Sequence, residues 1–245
     1  MDYFTFVRPT YIENWPADLC RMSISQADIP LTLDQARRLG SNIMELGESF
    51  GSIGGIQDIR ELINEQIFKF PQGVVPRLGS RSPKDAWSWD TSRGLTTADK
   101  VIGVLTDCSE RIFDDLHLAI NNSYSPHLFL RQWISIPEWS EFRCFMKDRE
   151  LVGISQYFYH DKYEEVKRNK DLFMWAIRDK FFGTFMRVSH LHSVIFDVFV
   201  RIREKGNRRE AEVKLLEINP FFEMTDPCLF DWRKQDLDGS FRIVE

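Results

Sequence analysis

The sequence predicts an α+β fold with two lobes, and three observations indicate it. Helix-like and strand-like segments alternate irregularly along the 245 residues, and no internal repeat is present. The extended segments concentrate after residue 127, where the apolar pattern is typical of an antiparallel sheet. The hydrophobic content of 43%, with 13% aromatic residues, is typical of a well-packed globular protein. We therefore expect an N-terminal lobe over residues 1–127 and a C-terminal lobe over residues 128–245.

In the first half, apolar spacing predicts helices around one short strand. Thr32 begins a capped helix over residues 32–39, because a Thr followed three residues later by Gln35 satisfies the first free backbone N–H groups. A second helix is expected over 56–68 and a third over 111–120, each with apolar residues three or four apart. Between them, residues 74–78 read as a strand.

In the second half, extended segments are predicted over 128–134, 141–146 and 151–157, with residues 147–150 as the turn between the last two. A long helix is expected from about residue 163 to residue 187. Two apolar runs then follow, at 193–200 and 215–220, separated by a polar segment that contains Gly206 and Asn207. This pattern predicts a β-hairpin near the C-terminus.

The predicted hairpin carries acidic residues inside its apolar runs. Asp197 lies in the first run, and Glu217 and Asn219 lie two residues apart in the second. Because alternate side chains of a strand share a face, Glu217 and Asn219 point the same way, and Asp197 joins them if it pairs with Glu217. Two facing carboxylates repel each other unless a hard cation lies between them, and Mg²⁺ prefers oxygen ligands. The three side chains therefore predict a divalent-metal site.

The alternative interpretation is that these acids face solvent on an edge hairpin. Against it, Asp197 alternates with Ile195 and Phe199, and Glu217 alternates with Val213 and Leu215. On a regular strand each acid would then share its face with apolar residues, which favours a partnered site.

Basic residues mark a second candidate region. Arg77, Arg81 and Lys84 follow the predicted strand at 74–78, in a loop of small residues that includes Gly79 and Ser80. Backbone N–H groups of such a loop, together with the basic side chains, suit a phosphate group. The alternative is an ordinary solvated turn.

Arg131 and Arg143 are less usual, because each lies in a strand-like run among apolar neighbours. A guanidinium group in that setting requires a carboxylate or a phosphate. Two interpretations remain open: ligand binding, or an internal salt bridge to a residue such as Glu141 or Asp197.

Composition excludes several classes of protein. The formal charge is −5, so the chain as a whole does not attract nucleic acid. Its four cysteines are far apart and form no Cys-x-x-Cys pair, which predicts neither a disulfide framework nor a zinc site. The first residues do not resemble a signal peptide, and no segment reaches membrane-spanning length. We expect a soluble cytoplasmic protein that makes no membrane contact.

The ordered motifs of the chain resemble those of the cell division cycle protein 123 family. The matching segments extend over roughly residues 55–232, in the same order and spacing, and the first 50 residues match weakly. The segments are residues 76–87, 108–116, 130–133, 141–145, 153–156, 196–198, 217–221 and 225–232.

The resemblance implies a divergent ATP-grasp fold that binds ATP and Mg²⁺ in a cleft between two lobes. It implies that Asp197, Glu217 and Asn219 hold Mg²⁺ and that Arg131 and Arg143 face the nucleotide. Gln132 and Trp133 would then border the adenine beside Arg131. Eukaryotic members of this family act in assembly of eukaryotic translation initiation factor 2 by binding its gamma subunit, which makes that subunit the expected partner.

The chain also departs from the family pattern. Eukaryotic members usually have Lys where this chain has Arg77, and Asn-Trp-Ser-Ala where it has residues 79–82. They often have Arg in place of Tyr157 and Asp in place of Glu217. These differences place the chain in a divergent branch of the family that it resembles.

Two other functions fit the same residues. An ATP-grasp ligase would activate a carboxylate as an acyl phosphate for attack by an amine or a thiol, and would release ADP and phosphate. A metal-dependent nuclease also uses an Asp and an acid-x-Lys triplet on a hairpin, but here Asn219 occupies the position of the Lys.

Overall fold

The structure, a computed structural model, describes residues 2–43, 55–206 and 208–245. Its helices are α1 (Tyr3–Val7), α2 (Ala17–Arg21), α3 (Leu33–Ser41), α4 (Gln57–Ile67), α5 (Ala98–Thr106), α6 (Glu110–Asn121), α7 (Glu164–Arg168), α8 (Lys170–Trp175) and α9 (Gly183–Val188). Its strands are β1 (Gln26–Pro30), β2 (Val74–Leu78), β3 (His127–Gln132), β4 (Glu141–Lys147), β5 (Glu150–Gln156), β6 (Val194–Lys205), β7 (Arg208–Pro220) and β8 (Phe241–Arg242). Short 3-10 turns occupy Arg8–Thr10, Ile12–Asn14 and Glu138–Ser140, and Ala176–Phe182 is π-helical.

These elements form two units, which are residues 25–135 and residues 1–24 with 136–245. The sequence predicts one boundary, between residues 127 and 128, whereas the units of the structure divide between residues 24 and 25 and between residues 135 and 136. Strand β3 begins at His127 but pairs with β1 and β2, so it belongs to the first sheet. The N-terminal residues group with the C-terminal part, because Ser23 pairs with Leu215 of β7 and the amide of Leu215 donates to the carbonyl of Met22 at 2.9 Å.

Residues 25–135 build a three-stranded antiparallel sheet in the order β1-β3-β2. One face packs on α3 to α6, since Ile29, Leu128 and Leu130 share a buried cluster with apolar residues of those helices. The predicted helices at 32–39, 56–68 and 111–120 are α3, α4 and α6, and Thr32 and Gln35 form the expected capping box. Strand β1 and helix α5 were not predicted.

The remaining residues build a five-stranded sheet in the order β7-β6-β4-β5-β8. The β7-β6-β4-β5 pairs are antiparallel and only the short β8 runs parallel, which confirms a mainly antiparallel C-terminal sheet. The predicted turn joins β4 and β5, where Asp148 and Arg149 both have a positive φ, near +50° and +67°. Two left-handed residues in a two-residue loop match the twist of a β-hairpin.

The helix predicted over 163–187 is wrong as one continuous element. Asn169 ends α7 with a non-helical ψ of 16° and precedes α8, and a π-helical segment then separates α8 from α9. Phe173, Ile177, Phe181 and Phe185 recur every four residues and are all buried. The wider π turn keeps residues of this spacing on one face, which contacts Phe196 of β6.

Among the described helices, none has the length and apolar composition needed to cross a membrane.

Candidate functional site

The C-terminal hairpin places the three predicted metal ligands on one face of the sheet. Asp197 of β6 pairs directly with Glu217 of β7, which confirms the assumed register. Asn219 pairs with Ile195, two residues further along the same pair of strands, and therefore shares that face. Gly206 adopts a positive φ of 60° in the turn, and Asn207 lies outside the described residues.

A β-bulge lies next to the acidic pair. Asp197 pairs with Glu217 but Val198 pairs with Leu215, so Leu216 is the additional residue of β7. The expectation that Val213 and Leu215 share a face with Glu217 is therefore wrong. The register shift turns them to the face that carries Val198 and Phe196, which packs on the helices.

Asp197 is buried and already has a cationic partner. Only 4% of Asp197 and 6% of Arg143 is exposed. The Nε of Arg143 donates to Oδ1 of Asp197 at 2.8 Å, and Nη2 donates to Oδ2 at 2.8 Å. Of the two interpretations that the sequence left open for Arg143, the structure contains the internal salt bridge to Asp197. A dication is therefore not needed to neutralise Asp197.

The remaining contacts of Arg143 fix the guanidinium group. Its Nη1 donates to the carbonyl of Asp226 at 2.8 Å, and its Cζ lies 4.9 Å from the ring centroid of Tyr157. Burial lowers the pKa of Arg143, but the charge of Asp197 and its hydrogen bonds outweigh burial, so the net direction is upward. Burial and the charge of Asp197 both raise the pKa of Tyr157. Both groups therefore keep their protons at neutral pH.

Tyr157 and Asp226 were not predicted as site residues. Both lie in or beside segments that resemble the family, but neither belongs to the hairpin or to a basic run. Asp226 also accepts from the hydroxyl of Tyr159 at 3.0 Å and from the amide of Cys228 at 2.8 Å. The sequence offered no local signal for either residue, because both approach Arg143 only through the tertiary fold.

The donor chemistry of the trio fits Mg²⁺. Glu217 and Asn219 are partly exposed beside buried Asp197, and two carboxylates with an amide oxygen form a set of hard oxygen ligands. The amide Nδ2 of Asn219 faces Asp197 at 3.5 Å, so the amide must turn over for its oxygen to reach a shared ion. Over the described ranges, no group of three or more His, Cys, Asp or Glu side chains is placed to hold a metal ion. Mg²⁺ at the trio would rely on phosphate and water oxygens as well.

The basic loop is held mainly by the protein itself. Arg77 is buried and donates to the carbonyls of Leu78 and Ser80, at 3.1 and 2.8 Å. Arg81 forms an ion pair with buried Asp115 of α6, whose other oxygen accepts from the Ser80 hydroxyl. The amide of Gly79 donates to the carbonyl of His127 at 3.1 Å. The Gly79 N–H group is therefore already bonded to β3, and phosphate binding by the backbone around Gly79 and Ser80 stays a prediction. The Lys84 side chain is exposed.

Strand β3 carries the other predicted nucleotide contacts. Arg131 is buried on the same face as Phe129 and, through the pairing of Phe129 with Arg77, on the same face as Arg77. The amide of Gln132 donates to the carbonyl of Ser25 at 2.8 Å. Trp133 donates from its indole to the carbonyl of Thr91 at 3.2 Å. Arg77 and Arg131 therefore lie on one face of this sheet, and Trp133 directly follows β3.

The chain has a mixed α+β fold, and this fold matches a known structure. The structure of Cdc123 from Schizosaccharomyces pombe superimposes with a TM-score of 0.76, over 97% of this chain and 96% of that chain, at 24% sequence identity. This similarity concerns the fold alone.

The sequence comparison identifies the family. The profile of the D123 family matches residues 46–241, and this chain belongs to that family. A translation initiation factor eIF2 assembly protein of Schizosaccharomyces pombe is 30% identical over 199 residues, which are 74% of this chain and 57% of that protein. Cell division cycle protein 123 of Candida glabrata is 30% identical over 214 residues, 77% of this chain and 57% of that protein. The chain thus aligns with little more than half the length of these relatives.

Proposed function

We propose that the chain binds ATP with Mg²⁺ and acts as an assembly factor for a translation initiation factor. The observation that carries the nucleotide site is the placement of Asp197, Glu217 and Asn219 on one face of the β6-β7 hairpin. Mg²⁺ would supply positive charge between these oxygens and the phosphates of ATP. The fold of Cdc123 and membership of the D123 family support this proposal.

The other predicted residues take roles in the same proposal. Arg77 and Arg131, on one face of the first sheet, are the proposed phosphate contacts, with Arg81 and Lys84 in the adjoining loop. Gln132 and Trp133 are the proposed neighbours of the adenine. The fold would then be an ATP-grasp fold.

The assembly role rests on the relatives. Two of them are a translation initiation factor eIF2 assembly protein and a cell division cycle protein 123. We propose the gamma subunit of translation initiation factor 2 as the partner and the cytoplasm as the place of action.

Calorimetric titration of ATP, with Mg²⁺ or with EDTA, tests the nucleotide site. We expect micromolar binding, about 8 kcal/mol, that depends on Mg²⁺. The double variant Asp197→Ala with Glu217→Ala removes both charged ligands, so its Mg²⁺-dependent heat should disappear.

The matched control is Glu210→Ala with Glu212→Ala. It removes the same charge from the same hairpin, at residues that pair with Arg203 and Arg201 away from the trio. This control should bind ATP like the wild type. Equal binding by the double variant and the wild type would refute the proposed metal site.

A further inference from the structure

The Arg143 side chain holds Asp197 in one orientation. All three guanidinium nitrogens donate hydrogen bonds within the protein, two of them to Asp197 and one to the carbonyl of Asp226. The ring of Tyr157 lies 4.9 Å from its Cζ. A guanidinium group with carboxylate, carbonyl and ring contacts has little freedom to turn towards another ligand.

The salt bridge leaves Asp197 able to bind a cation. Each carboxylate oxygen has two lone pairs, and Arg143 uses one on each oxygen. The second lone pair of Oδ1 remains, and Oδ2 also accepts a 3.5 Å hydrogen bond from Nδ2 of Asn219, which is released if that amide turns its oxygen towards the ion. Asp197, Glu217 and Arg143 together carry a net charge of −1, which still attracts a dication.

We infer that Arg143 is a positioning residue that fixes Asp197 for Mg²⁺, and that it is not a phosphate contact. Groups that orient a metal-binding side chain affect metal affinity by about 10- to 100-fold. This inference rests on the proposed Mg²⁺ and ATP binding and adds a role that differs from the one expected for Arg143 from the family resemblance.

The Mg²⁺ dependence of ATP binding separates the two roles. For Arg143→Gln, we expect ATP affinity in EDTA to stay at the wild-type level, while the gain in affinity on adding Mg²⁺ falls by about tenfold or more. A phosphate contact would instead weaken ATP binding in EDTA and in Mg²⁺ alike. Arg201→Gln is the control for charge, because Arg201 is an exposed arginine of β6, the strand that carries Asp197.

Arg143→Lys gives a second test if the Gln variant does not fold. Lysine keeps the charge but cannot donate two bonds in the fixed geometry of a guanidinium group. We expect its circular dichroism spectrum to match the wild type and its Mg²⁺ dependence to be reduced. A wild-type Mg²⁺ dependence of ATP binding in Arg143→Lys would show that the charge alone matters and would overturn the inference.

Manganese provides a readout of the metal itself. The electron paramagnetic resonance spectrum of Mn²⁺ bound with ATP should differ between the wild type and Arg143→Lys, because the orientation of Asp197 changes. Identical spectra and identical Mn²⁺ affinities would contradict the positioning role. Absence of any ATP binding by the wild type would instead refute the proposed function, which keeps the two failures distinct.

Discussion

At the scale of single residues, the buried carboxylate of Asp197 shows why charge in a strand does not by itself identify a metal. Arg143 neutralises Asp197 through two 2.8 Å hydrogen bonds. Both residues were singled out from the sequence as charged groups among apolar neighbours. Their mutual pairing depends on β4 lying beside β6, a long-range contact that no local pattern reports. The sequence therefore indicates that each needs a partner and names Asp197 only as one of two candidate partners of Arg143.

Cys228 gives a residue-scale prediction about pH. Burial raises the pKa of Cys228 to about 12, and the charge of Asp226 acts in the same direction. An unfolded thiol ionises near pH 8.5, so at pH 8 the native thiol should react with iodoacetamide roughly 10³-fold more slowly than the unfolded one. The rate in native protein should rise about tenfold with each pH unit and level off only near pH 12.

Mass spectrometry of peptides after timed labelling, with and without urea, measures this difference.

The raised pKa of Cys228 also has a consequence for stability. The native state keeps the proton that the unfolded state loses, so the contribution of Cys228 is complete below about pH 8.5 and is lost as the pH rises towards 12. Labelling of native Cys228 at the unfolded rate at pH 8 would contradict the assignment.

At the scale of elements, the strongly periodic segments were predictable and the special ones were not. The capping box at Thr32 and the two-residue turn at Asp148 and Arg149 follow from local sequence, whereas the pairing of Asp197 with Glu217 was an assumption that holds only because of the β-bulge. The bulge at Leu216 and the π-helical segment do not follow from local sequence, because both irregularities depend on tertiary packing. Strand β1 was also not predicted, because it is defined by its pairing with β3, which is distant in sequence.

Gly94 gives an element-scale prediction in residues 25–135. A Cβ atom built there would lie 2.7 Å from the Cβ of Trp133 and 2.8 Å from the backbone of Gly73. Gly94→Ala should therefore lower the free energy of unfolding by about 1 to 3 kcal/mol, as overpacking does elsewhere. Urea denaturation followed by circular dichroism measures the change.

Gly103→Ala is the matched control. Gly103 lies within α5, and a Cβ atom added there meets nothing within 4 Å. Alanine should raise the free energy of unfolding by about 0.5 to 1 kcal/mol through its better helix propensity. A Gly94→Ala protein as stable as the wild type would show that Trp133 and Gly73 move apart at little cost.

At the scale of the whole molecule, the family and the fold class could be predicted, whereas the division of the chain could not. Family motifs in order led to the same family as the D123 profile. The boundary expected between residues 127 and 128 rests on the change from a helical to an extended pattern, and the two compact units of the structure divide elsewhere. Strand β3 completes the first sheet instead, and residues before 25 join the second unit through Ser23.

The whole-molecule prediction concerns the partner. Purified chain mixed with the purified gamma subunit of translation initiation factor 2 should elute as one complex in size-exclusion chromatography. The alpha subunit alone should elute separately and serves as the control. Separate elution of the gamma subunit at micromolar concentrations, with and without Mg-ATP, would refute the proposed partner and would not bear on the proposed nucleotide site.

The bulge at Leu216 changes which alternate residues of β7 lie on each face of the sheet. Before it, even-numbered positions such as Lys214 lie on the acidic face, and after it odd-numbered positions such as Glu217 do. The strand therefore keeps Ala211, Val213, Leu215 and Ile218 on one face and still ends with the oxygen-bearing side chains of Glu217 and Asn219 on the opposite face. Residues before and after Leu216 therefore alternate in opposite phase, so a polar substitution that points away from the helices at an even-numbered position before Leu216 would point towards them at an even-numbered position after it.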